Sequence, residues 1–177
     1  MLCFPPSFPI ELVNQVTILG LTISHNLKWD AHVHRVVKTA NSRFYALRKL
    51  RPFLSNTELH LLYTSFIRPL LEYVCPVFVG LNKKLSQRLI SVDKRAHKII
   101  FRNDKRQCSC TTNELTIRRY RLSKKLYLSI ESDANHIMND IIPNRLPRSN
   151  LPCIPLCQTE KAQASFIVFI ARLFNNF

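Results

Sequence analysis

Two-metal nucleotidyl transfer needs at least two carboxylates held close together to position the cations. The aspartates of this chain are Asp30, Asp93, Asp104, Asp133 and Asp140, and no two are adjacent. Those in helical sequence sit among basic or polar residues, as solvated surface groups do, so no metal-dependent active site is expected within the chain. Only two glycines are present, which excludes a Gly-rich phosphate cradle. The histidines (His25, His32, His34, His60, His97 and His136) lie in no recognisable cysteine or serine nucleophile motif. His32 and His34 fall on different sides of a helix and are expected at the surface. Cys108, Cys110, Cys153 and Cys157 form a weak zinc candidate. Four thiolates can make a tetrahedral cage, but one residue between the first pair is tight and three between the second is only tolerable. Unpaired thiols are the competing reading.

With catalytic chemistry set aside, charge is the strongest signal. There are 26 Lys+Arg against 11 Asp+Glu, a formal net charge of +15. Such an excess concentrates polyanions and speeds their encounter, which points to nucleic acid, an anionic membrane face or merely a solvated basic surface. A chain of 177 residues at 46% hydrophobic fits one domain with a real core. The start, MLCFPPSFPI, has no basic n-region and is broken by prolines, so no secretory signal is read there. An intracellular protein with reduced thiols is expected, nuclear or cytoplasmic. The apolar stretch Phe166 to Ile170 is far too short for a membrane span.

The elements that must carry the basic residues follow from periodicity. Residues 1–11 are Pro-rich and irregular. Residues 12–29 hold a β-branched run, Val13 to Ile23, which reads as two short strands with Gly20 at the bend. Residues 30–142 are helical. Val33, Val36, Val37, Ala40, Phe44 and Leu47 mark the inner face of a first helix, with Arg35, Lys38 and Lys49 opposite. Ser55-Asn56-Thr57-Glu58 is a capping box opening the next helix, and Pro69 should kink or split it. Residues 82–102 give an amphipathic helix with Leu85, Leu89, Val92, Ala96 and Ile99 inward. On its outer side lie Lys83, Lys84, Arg88, Lys94, Arg95, Lys98 and Arg102. Thr111 to Glu114 repeats the capping box before a stretch running towards Ile141, with Leu115, Leu122, Leu126 and Ile130 inward. Residues 143–177 are a Pro-rich loop ending in a short helix from about Gln163 to Leu173. The fold class is mainly α, with a short N-terminal β-hairpin, a helical bundle and an irregular Pro-rich C-terminal segment. Arg35, Lys38, Lys49, Lys83, Lys84, Arg88, Lys94 and Arg95 are the candidate nucleic-acid-binding residues.

The landmarks also carry a resemblance. Thr17-Ile18-Leu19-Gly20-Leu21-Thr22-Ile23, then Leu27-Lys28-Trp29 and His32, resemble a strand pair followed by Leu-x-Trp and a histidine in the reverse transcriptases of non-LTR (LINE or jockey-like) retrotransposons. Ala40-Asn41 and Leu47-Arg48-Lys49-Leu50 fit the next landmark. Leu62-Tyr63, Ser65 and Ile67-Arg68-Pro69-Leu70-Leu71-Glu72-Tyr73 resemble the family's "LY-x-S-x-IRP-x-LEY" block, the most specific single match. Arg95-Ala96 and Ile99-Ile100 match the following helix, although Asp93-Lys94-Arg95 replaces its glutamine-led run. Asn135-His136 with Ile141-Ile142-Pro143, and Leu151-Pro152 with Gln158-Thr159-Glu160, Ser165-Phe166-Ile167 and Arg172-Leu173-Phe174-Asn175, resemble the family's tail. There Ile137, Gln158, Val168 and Phe174 depart from the usual proline, arginine, proline and tryptophan.

The resemblance covers nearly the whole chain from Val16 onward and implies a role for each piece. Leu19 and Gly20 would belong to the primer-grip end of the palm. The helices after Trp29 would form a thumb holding a template–primer RNA/DNA duplex without reading its sequence. The family's fingers and Ala-Asp-Asp turn would lie upstream of Met1, so the chain alone is expected not to be an enzyme. The family's Mg2+ would have no holder here, and the fingers and palm portion would be a partner. A small basic helical module that binds nucleic acid or protein, with no polymerase role, is the alternative.

Overall fold

In a computed structural model of the protein, residues 12–102, 114–147, 151–156, 159, 162 and 165–175 are described. The β-branched run folds into a hairpin of β1 (Gln15–Ile18) and β2 (Leu21–Ser24), paired antiparallel with Ile18 opposite Leu21. Leu19 and Gly20 make a two-residue turn, with φ of 48° and 80°. Two positive φ angles in succession are the type I′ pattern, whose twist matches that of the strands it joins. All of β1 is exposed, whereas β2 turns Thr22 and Ser24 inward.

Six α-helices and one 3-10 turn follow the hairpin in the described residues. Helix α1 spans Asp30–Leu50 and buries Val33, Ala40, Phe44 and Leu47, while Val36 and Val37 are half-buried. The capping box forms as the sequence predicts. The Ser55 hydroxyl accepts the Glu58 amide at 3.3 Å, and the Glu58 carboxylate accepts the Ser55 amide at 2.8 Å, opening α2 (Asn56–Phe66). Pro69 then occupies the first turn of a separate short helix, α3 (Arg68–Glu72), where its missing N–H costs nothing. Asn82 caps α4 (Lys83–Ile100) by accepting the Leu85 amide at 2.8 Å. Beyond it come α5 (Glu114–Ser132), a 3-10 turn (Asn139–Ile141) and α6 (Phe166–Asn175).

The main core lies where α1, α2, α3 and α4 meet, built from residues such as Phe44, Leu59, Tyr63, Leu71, Leu89 and Ile100. Helices α1 and α4 run parallel, since His34 meets Arg88 and, two turns on, Asn41 meets Arg95. A parallel pair requires a crossover, and α2 with α3 provides it. A second contact zone joins α5 to α6 through Tyr120 against Phe169 and Tyr127 against Phe174. Between these two helices in the chain, residues 144–147 pair with residues 151–153, the Leu146 amide donating to the Leu151 carbonyl at 2.7 Å and the Cys153 amide to the Asn144 carbonyl at 2.9 Å.

Three sequence expectations need correction. The α5 stretch ends at Ser132 instead of reaching Ile141, and its inward row is Leu115, Arg119, Ser123, Tyr127 and Ile130. Leu122 and Leu126 are each 38% exposed. Arg119 is accepted inside because its guanidinium lies 5.3 Å over the Phe78 ring and its Nη2 donates to the Phe78 carbonyl at 3.4 Å. His32, expected at the surface, is only 2% exposed. Asp93, expected to be solvated, is also only 2% exposed. The second capping box, Thr111 to Asn113, falls outside the described residues.

His32 joins the hairpin to the helices. Its ring packs edge-on against Phe78 and Trp29, with centroids 5.0 and 6.2 Å away. Its Nδ1 accepts the Thr22 amide of β2 at 3.4 Å. Burial, helped by the Arg35 charge, lowers its pKa from the ordinary 6.5. The hairpin tip is held separately, by the Tyr73 hydroxyl donating to the Leu19 carbonyl at 2.7 Å.

Two outcomes follow from this joint. Because His32 binds protons less readily in the folded chain, acid charges the unfolded chain first. Stability is therefore full above pH ~6.5 and declines as pH falls towards the depressed folded value. His32→Gln should flatten the drop in melting temperature between pH 7 and 5, and an unchanged drop would assign it to other groups. Leu19 holds a left-handed conformation that costs an L-residue roughly 1–2 kcal/mol, and its side chain is 83% exposed. Leu19→Asn should raise the melting temperature by about 2 °C in circular dichroism, and a fall would show that the leucine side chain packs.

Candidate nucleic-acid interface

The basic residues lie on helices whose other faces are fixed by the core. On α1, Val33, Ala40, Phe44 and Leu47 point in, so the opposite stripe carries Arg35, Lys38 and Lys49, all exposed. On α4, Leu85, Leu89, Val92, Ala96 and Ile100 point in, and Lys83, Lys84, Lys94, Arg95 and Lys98 are exposed. The two faces meet along the α1–α4 seam. There Arg88 Nη2 lies 3.2 Å from His34 Nδ1, and Arg95 Nη1 donates to Asn41 Oδ1 at 2.9 Å. Arg51 also reaches across from the end of α1 to the Ile99 carbonyl. Because neither Arg88 nor Arg95 is neutralised by these partners, the seam is a line of fixed, hydrogen-bonded cations.

Beside the seam, Ser91, Lys94, Arg95 and Lys98 line a depression of about 260 Å³. Their spacing, i, i+3, i+4 and i+7, puts all four on neighbouring turns of one helix face. Lys83 and Lys84 occupy the first turn of α4, where the helix dipole is already positive, so like charge is concentrated at that end. Such an array of ammonium and guanidinium donors can hold phosphate oxygens but has no means of reading bases by itself. Arg35 is placed differently from the other candidates: its Nη1 lies 3.4 Å from the hydroxyls of both Thr17 and Thr22, turned towards the hairpin. Leu19 and Gly20 likewise sit at the hairpin tip on Tyr73, whose ring is 3.6 Å from where a Gly20 Cβ would stand.

Beneath the basic face of α4 lies a buried polar cluster. The Tyr63 hydroxyl donates to Asp93 Oδ1, and His97 Nδ1 lies 2.9 Å from the Asp93 carbonyl and 3.6 Å from its carboxylate. His60 packs against His97 at 6.0 Å and Phe101 at 6.1 Å. Arg68, 7% exposed, stands 5.3 Å over the Tyr63 ring and pairs with Glu114 at 2.9 Å. Burial raises the Asp93 pKa, against the Tyr63 hydrogen bond and the His97 and Arg68 charges that lower it. Burial also raises the Tyr63 phenol and, with Arg68, lowers His60. Asp93 and His97 fall in phase with Leu89, Ala96 and Ile100, so helical phase was the signal that could have placed them inside.

The remaining titratable groups are arranged for structure. Cys75 is fully buried, which pushes its thiol up to about 11, so it stays protonated at neutral pH. Arg118 grips Glu72 through two bonds, at 2.5 and 3.1 Å, tying α3 to α5. Of the zinc candidate, Cys153 is exposed with a free thiol, while Cys108, Cys110 and Cys157 lie outside the described residues. Among the described residues, no group of three or more His, Cys, Asp and Glu side chains could hold a metal ion. No described helix is long and apolar enough to cross a membrane.

Comparison of the chain with protein-family models, curated proteins and solved structures finds no match.

Proposed function

We propose that this chain is the thumb and downstream helical part of a non-LTR retrotransposon reverse transcriptase, binding nucleic acid through phosphates without reading sequence and polymerising nothing alone. One observation carries the binding half: two parallel helices, α1 and α4, turn basic faces outward on either side of a seam of cations. The family half rests on the sequence landmarks and gains support from how they meet. His32, with Trp29 beside its ring, holds strand β2, and Tyr73 separately holds the Leu19-Gly20 turn, so these landmarks all fasten the hairpin to the helices. In this reading residues 12–29 are a palm edge, 30–142 the thumb-like region, and 143–177 the Pro-rich tail, in an intracellular protein. The fingers and palm would cover the hairpin, where Val13, Val16, Ile18 and Leu19 are 54%, 42%, 52% and 83% exposed. The template–primer duplex would lie along α1 and α4.

Titration of the purified chain with a labelled duplex at two salt concentrations tests the binding half. Affinity should fall with salt at a slope of roughly −0.9 per phosphate contact. The double variant Lys94→Ala, Lys98→Ala should weaken binding for all sequences alike and lower that slope by about one per lost contact. A wild-type chain that fails to bind duplex at low salt would remove the proposal. Primer extension with Mg2+ should incorporate no nucleotide, and incorporation would overturn the non-catalytic reading.

A further inference from the structure

The fold buries its large aromatic residues where it can: Tyr63, Tyr127, Phe44 and Phe78 are each 2% exposed or less. Tyr45 breaks that pattern in the middle of α1, where it is 66% exposed. Its position is not neutral. Tyr45 stands one turn beyond Asn41, the residue that holds Arg95 across the seam, so it flanks the α1–α4 seam. Lys38 lies two turns before it. Lys49 lies one turn after it and sets its ammonium over the Tyr45 ring, 5.6 Å from the centroid. An exposed aromatic ring inside a stripe of cations is the arrangement by which proteins hold single-stranded nucleic acid, with cations on the backbone and a ring under a base. Other exposed rings are differently occupied or differently placed. Phe66 is only 46% exposed and lies under the broad Arg43 guanidinium at 4.3 Å, closer than Lys49 comes to Tyr45, and Phe53 lies past the end of α1.

We propose that the outer stripe of α1 is a binding site for a single nucleic-acid strand, with one base stacked on Tyr45 and the neighbouring phosphates on Lys38, Lys49 and Arg95. It rests on the nucleic-acid reading above and goes further, because that reading needs phosphates only. A base inside a duplex is stacked on its neighbours and offers no free face, whereas a single strand can give its base to an aromatic side chain. From Lys38 to Lys49 the helix rises about 16 Å, the length of roughly five stacked nucleotides at ~3.4 Å each. The site therefore suits a short unpaired segment, such as a strand end or the strand leaving a duplex.

The test compares wild type, Tyr45→Leu and Tyr45→Phe, each as the full chain, on a 12-nucleotide single strand, an abasic strand of equal length and a 12-base-pair duplex. Tyr45→Leu should weaken binding to the single strand by roughly five- to a hundredfold while leaving duplex affinity and its salt slope unchanged. Tyr45→Phe should restore the affinity, since stacking needs the ring and not the hydroxyl. Wild type should bind the abasic strand no better than Tyr45→Leu binds the ordinary one. Equal binding of the single strand by wild type and Tyr45→Leu would overturn the site and leave phosphate binding standing. An equal loss on duplex and single strand would also overturn it, as would a lower melting temperature for Tyr45→Leu that accounts for the change. Failure of wild type to bind either nucleic acid would remove both proposals together.

Discussion

Everything on the basic side of this molecule depends on how Asp93 is held inside it. A carboxylate taken out of water loses several kcal/mol of solvation unless hydrogen bonds and charges offset the loss. Here the offset comes from three elements: the Tyr63 hydroxyl of α2, His97 one turn along α4, and the Arg68 charge of α3. Those partners exist only at one rotation of α4 about its axis. The same rotation places Leu89, Ala96 and Ile100 in the core and leaves Lys94, Arg95 and Lys98 outside. A purely apolar stripe would tolerate small rolls of the helix, since hydrophobic contact has little direction. Hydrogen bonds to a buried carboxyl group do not, so the polar cluster sets where the cations point.

The hairpin is secured by a different principle. It has little core of its own, and two-stranded ribbons are marginal in water. Three side chains from outside the hairpin hold it: His32 accepts from β2, Arg35 reaches Thr17 and Thr22, and Tyr73 takes the turn carbonyl. Arg35 thereby does structural service that its exposed position on α1 did not announce. Its guanidinium also helps keep His32 neutral, which leaves the ring nitrogen free to accept the strand amide.

Local chemistry in the sequence was a good guide to the elements. The turn at Gly20, the Ser55 capping box, the break at Pro69 and the inner faces of α1 and α4 each follow from a few neighbouring residues. What the sequence hid was which polar residues lie inside. Asp93, His32, Arg68 and Arg119 have side chains that normally face water, and each is buried because a residue at least ten positions away supplies its partner. On α5 the inward row contains an arginine and a serine, so counting apolar residues selected Leu122 and Leu126 instead. The meeting of the α1 and α4 basic faces was likewise beyond periodicity, which gives the phase of each helix but not the neighbour it faces. Tyr45 could have been noticed from sequence alone, as an aromatic on the charged side of α1.

The parallel course of α1 and α4 also bears on how the chain folds. Residues that meet across the seam, His34 with Arg88 and Asn41 with Arg95, are 54 positions apart. Each helix can form from local contacts within about a microsecond, but the seam cannot close until the crossover through α2 and α3 has brought α4 back alongside. Non-local contacts of this kind slow the search for the native state, because loop entropy is lost before the contact rewards it. The seam between the two helices is thus a late product of folding. Damage to the crossover would leave two intact basic helices and no seam of cations between them.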